Sequence, residues 1–549
     1  MDRTAHLQQL QNETFDLCVI GGGASGAGCA LDAALRGLTV ALIEKTDFAA
    51  ETSSKSTKLI HGGVRYLEQA FKNFDFAQLK QVRHGLEERH ILLRNAPHLA
   101  RPLALVTPVF NWLEGLYYAV GLTLYDWFAS GKDHLPKSRW LSKSETLRRT
   151  PGLSRRIHSA VLYYDGQIDD ARYCLALAQS AAEAGAVVAN HAEVVDFEKD
   201  KEGKIVAASF RDTPDGGGGM ASIRRISARL FLNCTGPGSD YLRQMANPAL
   251  EQRIRPSKGV HLVLPRDILG SEDALLIPKT RDGRIIFAIP FEGELLLGTT
   301  ETEFRGGAAE PLLDAGEVDF LLETLQPYVE PRIDRRQVKA GFGGFRPLIA
   351  ATNRQSKSLL RDHEVEHDPV SNLLSLLGGK WTTYRLMAKD AVDAACSLLG
   401  IQAVCTTESH QLAGAEGYEA DFWKKIERDY GLERDISQHL ALKYGTRAPR
   451  VAELAKRRPG LSERLIPAYP FIQAEIVYAV REEMACTLRD FIARRIRLEI
   501  TDWRAAWDAA PVVAAVMGGE LGWPEDVEKK EVTAYRALLT RFRESAGLV

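Results

Sequence analysis

Asp16-Leu17-Cys18-Val19-Ile20-Gly21-Gly22-Gly23-Ala24-Ser25-Gly26-Ala27-Gly28 decides the fold: an apolar run feeds a glycine-rich turn and then a helix-forming run. In that context Gly21 permits the tight turn, Gly23 lets backbone approach a pyrophosphate, and Gly26 lets the helix close on the strand. The helix N-terminus then points its free N–H groups at the phosphates. The helical run carries Cys29-Ala30-Leu31 and Ala33-Ala34-Leu35, stops at Gly37, and leads to a second strand, Thr39 to Ile43, closed by Glu44. An acid at this spacing accepts from a ribose 2′-hydroxyl and would repel a 2′-phosphorylated ligand. The stretch therefore predicts a dinucleotide cradle.

The 549 residues exceed what one core holds, so two or three domains are expected. Lys and Arg number 70 against 72 Asp and Glu, a net charge of -2 that gives no electrostatic reason for nucleic acid as a partner. Seven cysteines are scattered without a CxxC pair, so neither a disulfide framework nor a metal site is expected, and a reducing cytosol fits. Met1 to Thr14 has no apolar core, so no secretory signal is read there.

Further along, Thr52-Ser53-Ser54-Lys55-Ser56-Thr57-Lys58 is dense in hydroxyls and predicts a loop, and Asn73 to Leu93 has the pattern of a solvated helix. Val109 to Ala129 is the most apolar stretch, rich in Trp and Tyr, but Glu114 and Asp126 interrupt it, so it is not read as a membrane span. Two β-like runs, Ile205 to Phe210 and Ile226 to Leu232, are joined by a glycine run, Gly216 to Gly219, read as a flexible hairpin loop. The runs Gly259 to Leu264, Ile285 to Pro290 and Leu295 to Thr300 read as an inserted sheet domain. Leu373 to Tyr384 repeats the opening logic of apolar strand, paired glycines and helix. Beyond Tyr418 the periodicity is helical, with Pro511 and Pro524 expected to mark breaks. The expected division is residues 1–400 for an α/β region and 401–549 for a helical C-terminal domain.

Three segments together, Gly21 to Glu44, Thr52 to Tyr66 and Leu377-Gly378-Gly379-Lys380-Trp381-Thr382-Thr383-Tyr384, resemble the FAD-dependent glycerol-3-phosphate dehydrogenases. Lys258-Gly259-Val260-His261, Leu297-Gly298-Thr299-Thr300-Glu301 and Gly344-Phe345-Arg346-Pro347-Leu348 extend the resemblance over nearly the whole chain. It implies a Rossmann-like FAD-binding domain, an inserted β-rich substrate domain and a helical C-terminal domain. It also implies oxidation of sn-glycerol 3-phosphate to dihydroxyacetone phosphate, with electrons passed to a membrane quinone; the alternatives are a glycerol-3-phosphate oxidase that uses oxygen and releases hydrogen peroxide, and a flavin-binding sensor or interaction protein without turnover. The expected location is cytoplasmic, peripherally attached to the inner face of the cell membrane, and a homodimer is among the expected assemblies. Val109 to Ala129 is the leading segment for contact with the membrane surface, with Arg148-Arg149, Arg457-Arg458 and Arg494-Arg495 as basic pairs that could add attraction.

Such chemistry needs a flavin to take hydride, a base for the hydroxyl proton and cations for phosphate and developing alkoxide. Arg65, Arg346 and Lys380 lie in glycine-flanked segments and are assigned to the anion, with Arg346 and Lys380 also counted as catalytic. His261 is preferred as base, His61 being held in reserve, because an arginine is always protonated. Tyr66 and Thr300 are expected to donate hydrogen bonds to the substrate. Gly21, Gly23, Gly26, Glu44, Thr52, Ser53, Ser54, Gly236, Gly379 and Thr383 are assigned to FAD.

Overall fold

The structure is a computed structural model describing residues 1–62, 76–129, 135–213, 222–278, 280, 283–303, 310–350 and 363–548. Arg65, Tyr66 and the glycine run after Pro214 lie outside the described residues.

Strand Thr14–Ile20 forms the middle of the first sheet. It pairs in parallel with Val40–Ile43 on one side and Ser222–Asn233 on the other. Val187–Ala189 and Leu373–Gly378 extend the parallel run outward on the two sides. Residues 17–20 and 40–43 are buried without alternation, because a parallel sheet is covered on both faces. Helices Ala24–Leu35, Asp170–Glu183 and Tyr384–Leu399 cover one face through Ala30, Cys174 and Ala391. Helices Arg3–Asn12 and Ser239–Ala246, with the antiparallel strands Ala192–Lys199 and Ile205–Asp212, shield the other through Leu7, Leu242 and Phe197.

The second sheet is mostly antiparallel. Its central ribbon, Ile254–Pro265, lies between Glu294–Gly298 and Ala340–Ile349, while Ala100–Val109 pairs with Ser159–Ile168 further along. The chain passes between the sheets twice near one place: residues 52–58 lead into strand Leu59–Ile60, and Ser159–Ile168 returns into the helix that begins at Asp170. This junction lies beyond the carboxyl ends of the parallel strands, where open α/β sheets bind ligands.

Two cores serve the C-terminal helices. Trp423–Tyr430, Arg434–Tyr444 and Ala448–Arg457 enclose one of their own around Ile426, Leu440 and Val451. Trp503–Leu521 and Glu525–Ser545 share theirs with the second sheet, where Trp503, Val513 and Leu539 join Leu262, Leu296 and Leu321.

Two readings of the sequence are corrected here. Pro511 does not break its helix but lies inside Trp503–Leu521. Proline removes the N–H that would bond the carbonyl four residues earlier; that carbonyl, on Trp507, instead accepts from Arg536 Nη2 at 3.2 Å. Arg494 and Arg495 do not reach a lipid surface, being buried against the carboxylate of Asp47, just beyond strand Val40–Ile43, at 2.6 and 2.7 Å.

Asp47 also takes Asn190 Nδ2 at 3.0 Å, so its buried charge is fully matched. Removing one member of such a set leaves uncompensated charge and costs about 3–5 kcal/mol. Asp47→Ala should therefore lower the thermal midpoint and open the segment around residues 484–497 to proteolysis first; an unchanged melt with unchanged cleavage would contradict this clamp.

Candidate active site

The dinucleotide turn is shaped by absent side chains. Gly21 stands at φ +111, and a Cβ on Gly26 would lie 1.8 Å from the Gly21 carbonyl oxygen, so the helix can start only with glycine there. A Cβ on Gly23, the cap of helix Ala24–Leu35, would meet Ser53 Oγ at 2.8 Å. Ser53 Oγ accepts from Ala24 N at 2.9 Å, and Ser53 O accepts from Trp381 Nε1 at 2.9 Å. The turn, the 52–54 segment and the Gly378-to-Thr383 turn thus meet at one point. Gly379 takes φ +90, and the Lys380 carbonyl accepts from Thr383 N and Oγ1. Gly236 opens the turn after strand Ser222–Asn233, at φ +54.

Glu44 is buried at the end of its strand. Its carboxylate accepts from Gly22 N at 2.7 Å and Thr46 N at 3.0 Å, and burial raises its pKa against those bonds. A carboxylate has about four acceptor sites, so capacity for a ribose hydroxyl remains. Thr52 Oγ1 donates to Phe345 O at 2.8 Å, tying the 52–58 loop to the second sheet. The Ser54 side chain is buried with its hydroxyl toward Glu51 O, so of the two serines Ser53 lines the cradle. A bare helix start, close glycine backbone and ribose-spaced acid fit a flavin dinucleotide.

The second sheet supplies the other wall. His261 lies directly across from Gly298 on one neighbouring strand and Phe342 on the other. Its imidazole stacks on the Phe342 ring with centroids 4.9 Å apart, and Nε2 is 3.1 Å from Thr57 Oγ1. Nδ1 is buried without a hydrogen-bond partner. Burial, with Lys58 and Arg346 nearby, holds its pKa well below the ordinary histidine value. Phe342, Gly344 and Arg346 alternate onto one face of strand Ala340–Ile349. A Cβ on Gly344 would sit 2.9 Å from Lys55 Cβ, so glycine is what lets the 52–58 loop close onto this strand. Arg346 Nη2 donates to Thr299 Oγ1 at 3.1 Å and Thr300 O at 3.2 Å, while Thr300 Oγ1 accepts from Val260 N.

Lys380 is half-buried at the rim. His61 is exposed to solvent, with the cations Lys380 and Arg89 nearby. Two sets of the expected residues thus converge across the junction: Ser53, Gly379 and Lys380 on the first-sheet side, His61, His261, Thr300 and Arg346 on the second. Thr57, Lys58, Phe342 and Asp170 were not singled out from the sequence. The hydroxyl-rich run holds two of them, but only the meeting of distant strands gives them neighbours.

The fold and this cleft are those of a flavin-dependent oxidoreductase. The family described as FAD dependent oxidoreductase matches residues 16–393, and the C-terminal domain of alpha-glycerophosphate oxidase matches residues 405–528. A probable mitochondrial glycerol-3-phosphate dehydrogenase of Caenorhabditis elegans is 41% identical over 540 residues, spanning 96% of this chain and 74% of that protein. The human mitochondrial glycerol-3-phosphate dehydrogenase is 40% identical over 542 residues, again 96% of this chain and 74% of that protein. The crystal structure of the Bacillus halodurans glycerol-3-phosphate dehydrogenase complexed with FAD superimposes with a TM-score of 0.80 at 28% identity, covering 100% of this chain and 98% of that one. The chain belongs to the family of FAD-dependent glycerol-3-phosphate dehydrogenases, with FAD as its cofactor.

Gly23→Val would drive a branched side chain into Ser53 and the pyrophosphate position. The purified variant should be colourless, with little flavin released on denaturation; a normal flavin-to-protein ratio would contradict the assignment of the turn.

Proposed function

We propose that the chain oxidises sn-glycerol 3-phosphate to dihydroxyacetone phosphate and passes the electrons to a membrane quinone. The observation that carries this reading is the placement of Arg346, Thr300 and His261 opposite the glycine turns of the cofactor cradle. The relatives' names supply the substrate. Bound FAD provides, at flavin N5, the acceptor for the hydride leaving the substrate's secondary carbon. The chain's own residues do the rest. The Arg346 guanidinium, oriented by Thr299 and Thr300, and Lys380 from the opposite rim hold phosphate and stabilise the developing alkoxide. With Nε2–H donated to Thr57 Oγ1, the His261 Nδ1 lone pair takes the hydroxyl proton, which balances the oxidation. Packing of the 52–58 loop on strand Ala340–Ile349 keeps water from the reacting centre.

An acceptor dissolved in lipid requires an enzyme that touches lipid. Among the described residues no helix is long and apolar enough to cross a membrane. Helix Trp112–Ala129 nevertheless turns Trp112 (60% exposed), Leu113 (60%), Leu116 (53%) and Tyr117 (51%) outward, with Phe110 and Trp140 beside them. Such a patch on an ordinary soluble surface is rare, and Trp and Tyr favour the headgroup boundary. Arg149 is bound to Asp273, Arg457 to Glu453 and Arg458 to Glu520, so attachment rests on apolar burial more than on charge. The reading places the protein peripherally on the inner face of the cell membrane.

A second reading, an oxidase that gives the electrons to oxygen, is favoured by the match of residues 405–528 to an oxidase C-terminal domain. Stoichiometric hydrogen peroxide with no gain from a quinone analogue would decide for it.

A charged hydrogen bond to the phosphate dianion is worth about 1.5–3 kcal/mol, so Arg346→Ala should lower kcat/KM for glycerol 3-phosphate by roughly one to two orders of magnitude. Activity on glycerol should change far less, and equal losses on both would remove Arg346 from the phosphate site. On vesicles the wild type should float with little sensitivity to salt, and Trp112→Glu combined with Leu116→Glu should release a protein that still holds FAD. A wild type that never floats would contradict the membrane surface.

A further inference from the structure

Lys58 is a fully buried cation to which the proposed mechanism gives no task. Its ammonium donates to Asp170 Oδ2 at 2.7 Å and Ser54 O at 2.7 Å, and lies 4.9 Å from the centre of the Phe342 ring, the ring on which His261 stacks. Asp170 is bonded at its other oxygen by Arg497 Nη2 at 2.9 Å, and Asp169 lies nearby, held by Lys443. The groups around Lys58 are therefore two carboxylates, Arg497, Phe291 at 5.8 Å and the Phe342–His261 pair. The charges acting on His261 itself are Lys58 and Arg346, both positive.

We infer that Lys58 is a positioning residue for the reaction, which fixes the Phe342–His261 stack and keeps the buried imidazole uncharged so that it can receive the substrate's proton. This rests on His261 being the proton acceptor of the proposed reaction. The physical argument is a balance of charge in a site shut off from water. A proton on His261 adds a third positive charge beside Lys58 and Arg346, while both carboxylates are already matched, Asp170 by Lys58 and Arg497 and Asp169 by Lys443. Burial brings the Lys58 pKa itself down to about 7, with Asp170 acting to keep the charge, so the lysine remains a cation over the acid half of the working range. A neutral side chain of the same length would fill the same space but would lift this restraint.

The sign follows. His261 is held below its ordinary pKa, so the wild type keeps a neutral base as pH falls; without the Lys58 charge, His261 protonates at higher pH and the acid limb of kcat/KM moves up. The test uses the FAD-loaded protein with carbon-13-labelled histidine, the His261 resonance being assigned by its loss in His261→Gln. In the wild type that resonance should stay in the neutral form from about pH 8 to about pH 5. In Lys58→Met it should titrate about one pH unit higher or more, with the acid limb of kcat/KM moving in parallel. Lys58→Arg should restore the wild-type profile, and Lys58→Gln, which keeps a donor for Asp170, should shift like Lys58→Met. A wild-type His261 that titrates near pH 6.5 overturns the inference even if no variant folds, as does a Lys58→Met protein that retains FAD with its limb unmoved. If glycerol 3-phosphate does not reduce the wild type at all, the reaction fails while the resonance still reports on Lys58 and His261.

Discussion

A carboxylate sealed from water has to be matched on every side, and in this molecule Asp170 is the carboxylate on which the active site is hung. It has no exposed surface and accepts from Ser56 N, Ser56 Oγ, Lys58 Nζ and Arg497 Nη2. Ser56 and Lys58 belong to the loop that leaves the cofactor cradle, Asp170 begins the helix that returns to it, and Arg497 comes from the C-terminal region. Thr57 sits between two residues held by the same carboxylate, so its hydroxyl meets His261 Nε2 at a fixed place. A buried ion pair is weak evidence for stability, but it is strict about geometry, because any misplacement leaves charge unpaired. Asp47 repeats the device with Arg494 and Arg495. Through these two carboxylates the helical region holds the segments around the proposed site without lining the cradle.

The sequence made the cradle readable because its signals are local. Gly21, Gly23 and Gly26 lie within one turn of chain, and their spacing reports a backbone requirement that no packing partner can change. The same holds for the strand, paired glycines and helix of Leu373 to Tyr384, whose elements fall where the apolar runs place them. The second sheet was legible only as a set of strands. Which strand stands beside Ile254–Pro265 depends on pairings across dozens of residues, so the stack of Phe342 on His261 and the support of Arg346 by Thr299 had no signature in the linear order. Strand Ala340–Ile349 carries the run Gly341-Phe342-Gly343-Gly344. Its glycines are spaces for other segments, Gly343 for the Pro311 carbonyl and Gly344 for Lys55.

Charge was the hardest signal to read. A lysine or arginine in a sequence is usually a solvated end, yet Lys58, Arg495 and Arg497 are among the most completely buried side chains described. Arg494-Arg495 read as a surface pair for that reason, and only the carboxylates brought by remote segments explain its burial. The aromatic helix after Val109 illustrates the converse. Its composition suited either a core or a boundary, and the outward turn of Trp112, Leu113 and Leu116 favours the boundary.

The claim that joins cradle, cations and buried base is that this cleft oxidises glycerol 3-phosphate on its own flavin. Anaerobic addition of glycerol 3-phosphate to the purified FAD-loaded protein, with no quinone or other acceptor present, tests it most directly. The account predicts loss of the oxidised-flavin absorbance, complete at saturating substrate, with dihydroxyacetone phosphate formed in an amount equal to the flavin reduced. An absorbance that persists, while dithionite bleaches the same sample, would contradict it.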